Sequence, residues 1–167
     1  PQEFIAKAKA NDFAGAVETI TRNNPMGQTC GLICPDKFCM QACTRAGIDF
    51  PINIPRVQAT ILEKYRTAES AAHPKLPANG KKVAVIGAGP AGIAATAELS
   101  RLGYRITLFE SFEKIGGALN LIPDKRLPFE VIAKDWSFID DPDMIELRLN
   151  TPVNNPAALL EQDFDGV

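Results

Sequence analysis

Outside residues 30–43 the sequence has no cysteine, and His73 is its only histidine. With a single histidine, lying in a polar stretch, no Ser–His–Asp arrangement is in view, which argues against hydrolytic chemistry. No segment approaches the roughly 18 uninterrupted apolar residues of a membrane-spanning helix, so no membrane role is expected. No Lys/Arg run occurs, and 18 Lys and Arg against 20 Asp and Glu give a net charge of −2. That balance lacks the basic footprint of a nucleic-acid binder. The first ten residues, PQEFIAKAKA, lack the apolar core of a secretion signal. A reducing compartment, the cytoplasm, is therefore expected, where stable disulfides are uncommon. An initiator Met is also missing. The chain is expected to be processed, or to be a piece of a longer polypeptide.

What is present is concentrated. Cys30, Cys34, Cys39 and Cys43 stand with three, four and three residues between them. In a reducing compartment such a cluster points to metal ligation before disulfides. Structural zinc sites usually bring in two close cysteine pairs across a longer spacer. A continuous C-x3-C-x4-C-x3-C run is closer to iron–sulfur usage, where one run can feed two clusters. Spacing alone leaves zinc and disulfides as alternatives.

The pattern divides the chain into an α-helical domain over residues 1–66, a linker over 67–80 and an α/β domain over 81–167. Phe13, Val17 and Ile20 recur at helical spacing, and Asn24-Pro25 stops that helix. PINIPRVQATILEKYR reads as a loop entering a helix, with Pro55 at its first position. Residues 67–80, TAESAAHPKLPANG, are small, polar and Pro-containing, and His73 is read there as a solvated linker residue.

The third part opens on an apolar strand, Val83–Ile86, followed by Gly87, Ala88, Gly89, Pro90, Ala91 and Gly92. These make G-x-G-x-x-G. A helix to Leu102 and a second strand, Ile106–Phe109, complete a βαβ unit ending at Glu110. The helix N-terminus offers free N–H groups to phosphates, and Glu110 is placed to accept hydrogen bonds from ribose hydroxyls. NAD and FAD both fit. The Gly116-Gly117 doublet soon after the acid permits another close backbone approach and is similar to the FAD site of two-dinucleotide flavoproteins.

Taken in order, NPMGQTCGLICPDKFCMQACTRAG, PINIPRVQ, VAVIGAGPAGIAA, FESFEKIGGAL and IPDKRLP resemble the N-terminal iron–sulfur and FAD region of the glutamate synthase small-subunit family, which includes the N-terminal part of dihydropyrimidine dehydrogenase. The resemblance runs nearly end to end. It implies a helical iron–sulfur domain followed by a Rossmann-like FAD domain that is incomplete at its C-terminus. NAD(P)H, held by a domain outside this chain, would reduce FAD, and electrons would pass through [4Fe–4S] clusters to a catalytic reductase or synthase partner. It implies Cys34 and Cys39 as ligands of one cluster, Cys43 of another and Gln58 as an unusual amide ligand, with Cys30 not a ligand. Leu119 and Arg126 match residues lining the flavin ring. The alternatives are a non-enzymatic electron-transfer or assembly subunit and, more distantly, a zinc-stabilised nucleotide-binding module.

Overall fold

The computed structural model describes all of residues 1–167. Its N-terminal part is helical: α1 (Gln2–Lys9), α2 (Phe13–Thr21), α3 (Gly27–Ile33), α4 (Lys37–Gln41) and α5 (Ile54–Tyr65). Asp12 caps α2 by accepting the Gly15 N–H at 2.9 Å, and Asn53 caps α5 by accepting the Arg56 N–H at 3.1 Å. Each such cap satisfies one of the orphan donors at a helix start. Pro55 falls one residue inside α5, which begins at Ile54. That position still lies in the first turn, where the missing N–H has no intrahelical partner to lose.

Two apolar seams hold these helices. Phe4, Ala16, Val17, Ile20, Ile61 and Leu62 bury together between α1, α2 and α5. Tyr65 reaches back to stack on Phe13, ring centroids 4.0 Å apart. The other face of the module is continuous with the sheet domain. Met26, Cys30 and Ile33 on and before α3 pack with Ile93, Ile106, Leu108, Leu127, Ile132 and Trp136.

The sheet has three parallel strands, β1 (Lys82–Ile86), β2 (Arg105–Phe109) and β3 (Ile145–Arg148), with β2 central. Helix α6 (Pro90–Arg101) joins β1 to β2, and α7 (Phe129–Ser137) lies between β2 and β3. The central strand is the apolar one: Ile106, Thr107, Leu108 and Phe109 are all buried, as expected where both faces are covered. Beyond the short α8 (Ala157–Leu160), Gly166 bridges in parallel to Val83 on β1. Since β1 already pairs with β2, this contact lies on its other edge, so strand order reverses at β1. Open α/β sheets bind ligands at such a switch point, outside the carboxyl ends of the strands.

Residues 67–80 are tied to the fold. Leu76 N–H donates to the Arg101 carbonyl at 2.8 Å and Asn79 N–H to the Gly103 carbonyl at 2.9 Å. His73 is not solvated, contrary to the sequence expectation. It is half-buried and its Nε2 lies 2.9 Å from Thr21 Oγ1. Small polar composition predicts a turn-rich path, but only the neighbouring surface decides whether that path is free.

Candidate functional site: a glycine cradle beside the thiol segment

The strand-to-helix turn sits at the reversal point. Gly87 has φ +95°, a left-handed conformation that a side chain would strain. A Cβ on Gly92 would lie 1.8 Å from the Gly87 carbonyl oxygen, so the helix can begin against the turn only with glycine there. Gly89 is different. Its φ is ordinary at −77°, and a Cβ would meet nothing nearer than Gly117 Cα at 3.9 Å. Packing within the chain does not require glycine at position 89. The open space over it is a cradle that a Cβ would fill, and it lies at the N-terminus of α6.

Glu110 and the glycine doublet close around this turn. One Glu110 oxygen accepts the Ala88 N–H at 2.8 Å; the other accepts the Phe112 N–H at 3.0 Å and the Ser111 hydroxyl at 3.1 Å. Burial pushes this carboxyl up, but those donors outweigh it and hold its pKa below the usual carboxylate value. Gly116 N–H donates to the Ala88 carbonyl at 2.8 Å, and Gly116 and Gly117 both have positive φ. The structure thus brings Gly87–Gly92, Glu110 and Gly116-Gly117 together. A carboxylate offers about four lone-pair positions, so Glu110 retains acceptor capacity beyond its backbone donors. Leu119 is buried in the core under the sheet. Arg126 turns toward the cysteine segment, where its Nη2 donates to the Ile33 carbonyl at 2.8 Å.

The cysteines are arranged more openly. Cys30 packs against the apolar core, and burial pushes its thiol up. Cys34 is exposed and shares a cleft of about 570 Å³ with Asn53, Arg56, Lys125 and Arg126. Cys43 Sγ accepts the Ile52 N–H at 3.5 Å. That donor, joined by the Arg45 and Ala46 N–H groups, draws its thiol pKa down. Gln58 Nε2 donates to the Gly27 carbonyl at 2.7 Å and ties α5 to the start of α3. No three His, Cys, Asp or Glu side chains converge on one point that could hold a metal ion. Free thiols with backbone N–H donors fit soft iron chemistry, but they do not enclose a cluster by themselves.

Three contacts had no signal in the sequence. Arg66 Nη1 meets Asp135 Oδ1 at 2.6 Å, Thr29 N–H donates to Asp135 Oδ2 at 2.8 Å, and Thr21 holds His73. The first two join the end of α5 and the start of α3 to α7.

A glycine-lined strand-to-helix turn at a parallel-sheet reversal, with an acid ending the next strand, is the construction of a Rossmann-type dinucleotide-binding protein. Residues 85–138 match the NAD(P)-binding Rossmann-like domain family, and residues 1–70 match the family described as dihydropyrimidine dehydrogenase domain II, 4Fe-4S cluster. Residues 1–70 are thus similar to a dihydropyrimidine dehydrogenase iron–sulfur domain and residues 85–138 to a Rossmann-like domain. It is 40% identical over 157 residues to the NAD-dependent dihydropyrimidine dehydrogenase subunit PreT of Salmonella typhimurium, covering 92% of this chain and 37% of that one. The Escherichia coli subunit of the same name is 38% identical over 162 residues, covering 95% of this chain and 39% of that one. The putative oxidoreductase YgfK of Escherichia coli is 38% identical over 140 residues, 82% of this chain and 14% of its own length. The chain spans less than two fifths of the length of the PreT subunits it matches. No helix is long and apolar enough to cross a membrane.

Proposed function

We propose that this chain is the iron–sulfur and FAD-binding part of an NAD(P)H-dependent oxidoreductase that delivers electrons to a catalytic partner subunit. The observation that carries this is the cradle over Gly89: it is open, it lies at a helix N-terminus, and nothing in the chain's own packing demands glycine there. A pyrophosphate laid across it would take the free N–H groups of the first turn of α6 and the positive end of its dipole. Glu110, held ionised by its backbone donors, would accept an adenosine ribose hydroxyl at the one lone-pair position that Ala88, Phe112 and Ser111 leave. Gly117, facing Gly89, leaves room for a second backbone approach to the same ligand. When bound, FAD supplies the chemistry of a hydride acceptor that can release electrons singly.

The thiol segment would face the exit side. Cys34, Cys39 and Cys43 supply thiolates, Gln58 supplies an amide, and Cys30 stays in the core as a packing residue. The N–H donors on Cys43 favour the thiolate form that ligation requires. Because these groups do not close a set among themselves, further ligands from elsewhere in the functional protein are part of the proposal. Similarity to the PreT subunits makes a dihydropyrimidine-handling partner the acceptor we favour.

The test is anaerobic reconstitution of the full chain with FAD, iron and sulfide, followed by desalting. The expected result is retained flavin in the wild-type chain and at least a tenfold loss of flavin affinity in Gly89→Ala with an unchanged fold by circular dichroism. Equal retention in both would sink the assignment.

A further inference from the structure

Ser111 stands on the surface, one residue past the acid that ends β2, and spends its hydroxyl on that acid. The backbone on either side of it is fixed. Glu110 N–H donates to the Arg148 carbonyl at 2.9 Å, Thr151 N–H to the Glu110 carbonyl at 2.7 Å and Asn150 N–H to the Phe112 carbonyl at 2.9 Å. The Glu110 carboxylate therefore sits on a rigid stem. What it can still accept is decided by the donors already on it.

Those donors are shared unequally. Oε2 accepts one, the Ala88 N–H at 2.8 Å. Oε1 accepts two, the Phe112 N–H at 3.0 Å and the Ser111 hydroxyl at 3.1 Å. With about two lone-pair positions on each oxygen, Oε2 keeps one open and Oε1 keeps none. The two N–H donors belong to the backbone and stay where the turn and the sheet hold them. The Ser111 hydroxyl differs from both: it is on an exposed side chain and can turn to another χ1 rotamer with the backbone unmoved. Of the three donors it is the one that a ligand can replace.

A ribose carries two adjacent hydroxyls, and a carboxylate with two open positions would read both. At Glu110 the second reading cancels. A hydroxyl arriving at Oε2 takes an open position and keeps the gain of a hydrogen bond to a charged acceptor. A hydroxyl arriving at Oε1 makes the same kind of bond but dismisses an equivalent one from Ser111, so its net gain is near zero.

We propose that Ser111 is a specificity-determining residue for the nucleotide: its hydroxyl holds the second ribose position of Glu110, so the site distinguishes one ribose hydroxyl and is indifferent to the other. Removing the Ser111 hydroxyl opens Oε1 and makes the site distinguish both. The inference rests on the reading of the glycine turn as a dinucleotide site.

The experiment is calorimetric titration of the full chain with ADP, 2′-deoxy-ADP and 3′-deoxy-ADP, in the wild type, Ser111→Ala and Ser111→Thr. In the wild type one deoxy analogue should bind about tenfold more weakly than ADP and the other within about twofold of it, one hydrogen bond to a charged group being worth about a decade. Ser111→Ala should bind ADP about tenfold more tightly than the wild type and should penalise both analogues about tenfold relative to ADP. Ser111→Thr keeps the hydroxyl and should behave as the wild type does, which a merely structural role for Ser111 would not require. The proposal alone is overturned if ADP binds and the wild type penalises both analogues alike, if Ser111→Ala leaves the pattern unchanged, or if Ser111→Thr behaves as Ser111→Ala does. Absence of ADP binding, or binding with no penalty for either analogue in any of the three proteins, would overturn the dinucleotide reading of Glu110 together with it.

Discussion

Asp135 on α7 accepts from two separate parts of the helical module at once: Arg66 Nη1 at 2.6 Å and Thr29 N–H at 2.8 Å. Both side chains of the ion pair are buried, and Arg66 also lies over the Phe138 ring at 4.2 Å. Burial pushes the Asp135 carboxyl up and the Arg66 guanidinium down, and their mutual attraction opposes both shifts. One carboxylate therefore locks the helix preceding Cys34 to the sheet domain. Removing one partner of a buried pair leaves an uncompensated charge, at a cost of about 3–5 kcal/mol. Asp135→Asn should lower the melting temperature by roughly 10 °C, taking about 2–4 °C per kcal/mol for a chain of this size. Arg66→Met with Asp135→Leu should cost less than the two single changes summed. Additive losses in calorimetry would show that the two residues act independently.

Two glycines three residues apart in the same turn, Gly89 and Gly92, should behave oppositely. Gly92→Ala places a methyl 1.8 Å from a backbone oxygen that cannot move without displacing β1. It should unfold the sheet domain or lower its melting point steeply. Gly89→Ala meets no atom closer than 3.9 Å and should melt as the wild type does. Thermal denaturation of the two variants in the absence of ligand separates these expectations.

Glu110 carries a pH dependence whose sign follows from its donors. Its folded pKa lies below the ordinary carboxylate value. The stabilisation is therefore present above the unfolded pKa of about 4.3 and is lost as pH falls through the folded value. Gln at this position keeps one acceptor where two backbone N–H groups on different oxygens need one each. Glu110→Gln should cost about 2 kcal/mol at neutral pH, as for hydrogen bonds to a charged group. The gap from wild type should narrow below about pH 4. A difference that stays constant from pH 7 to pH 3 in denaturant titrations would count against this account.

The cysteines should divide by environment. Cys34→Ser, Cys39→Ser and Cys43→Ser should each lower the iron and acid-labile sulfide bound after anaerobic reconstitution. Cys30→Ala should not, because that thiol faces the apolar core beside Met26 and Ile33. Iron content that falls equally in all four, or zinc without sulfide in the wild type, would contradict the ligand assignment.

The glycine turn was legible in the sequence because its physics is local. The φ at Gly87, the helix start at Pro90 and the apolar run of β2 depend on residues within one βαβ unit, and the spacing from Gly92 to Glu110 is set by one helix and one strand. The helices around Val17 and Ile61 were likewise readable from a period of 3.6. Tertiary structure alone decided the rest. Arg66 and Asp135 are 69 residues apart, and neither stands out in its own helix. His73 reads as a linker residue until Thr21, 52 residues away, is beside it. Arg126 finds the Ile33 carbonyl across 93 residues. Periodicity and motif spacing report which groups a short segment must satisfy by itself. They carry no information on which distant donor a buried carboxylate will meet, because that pairing is set by how the two modules pack.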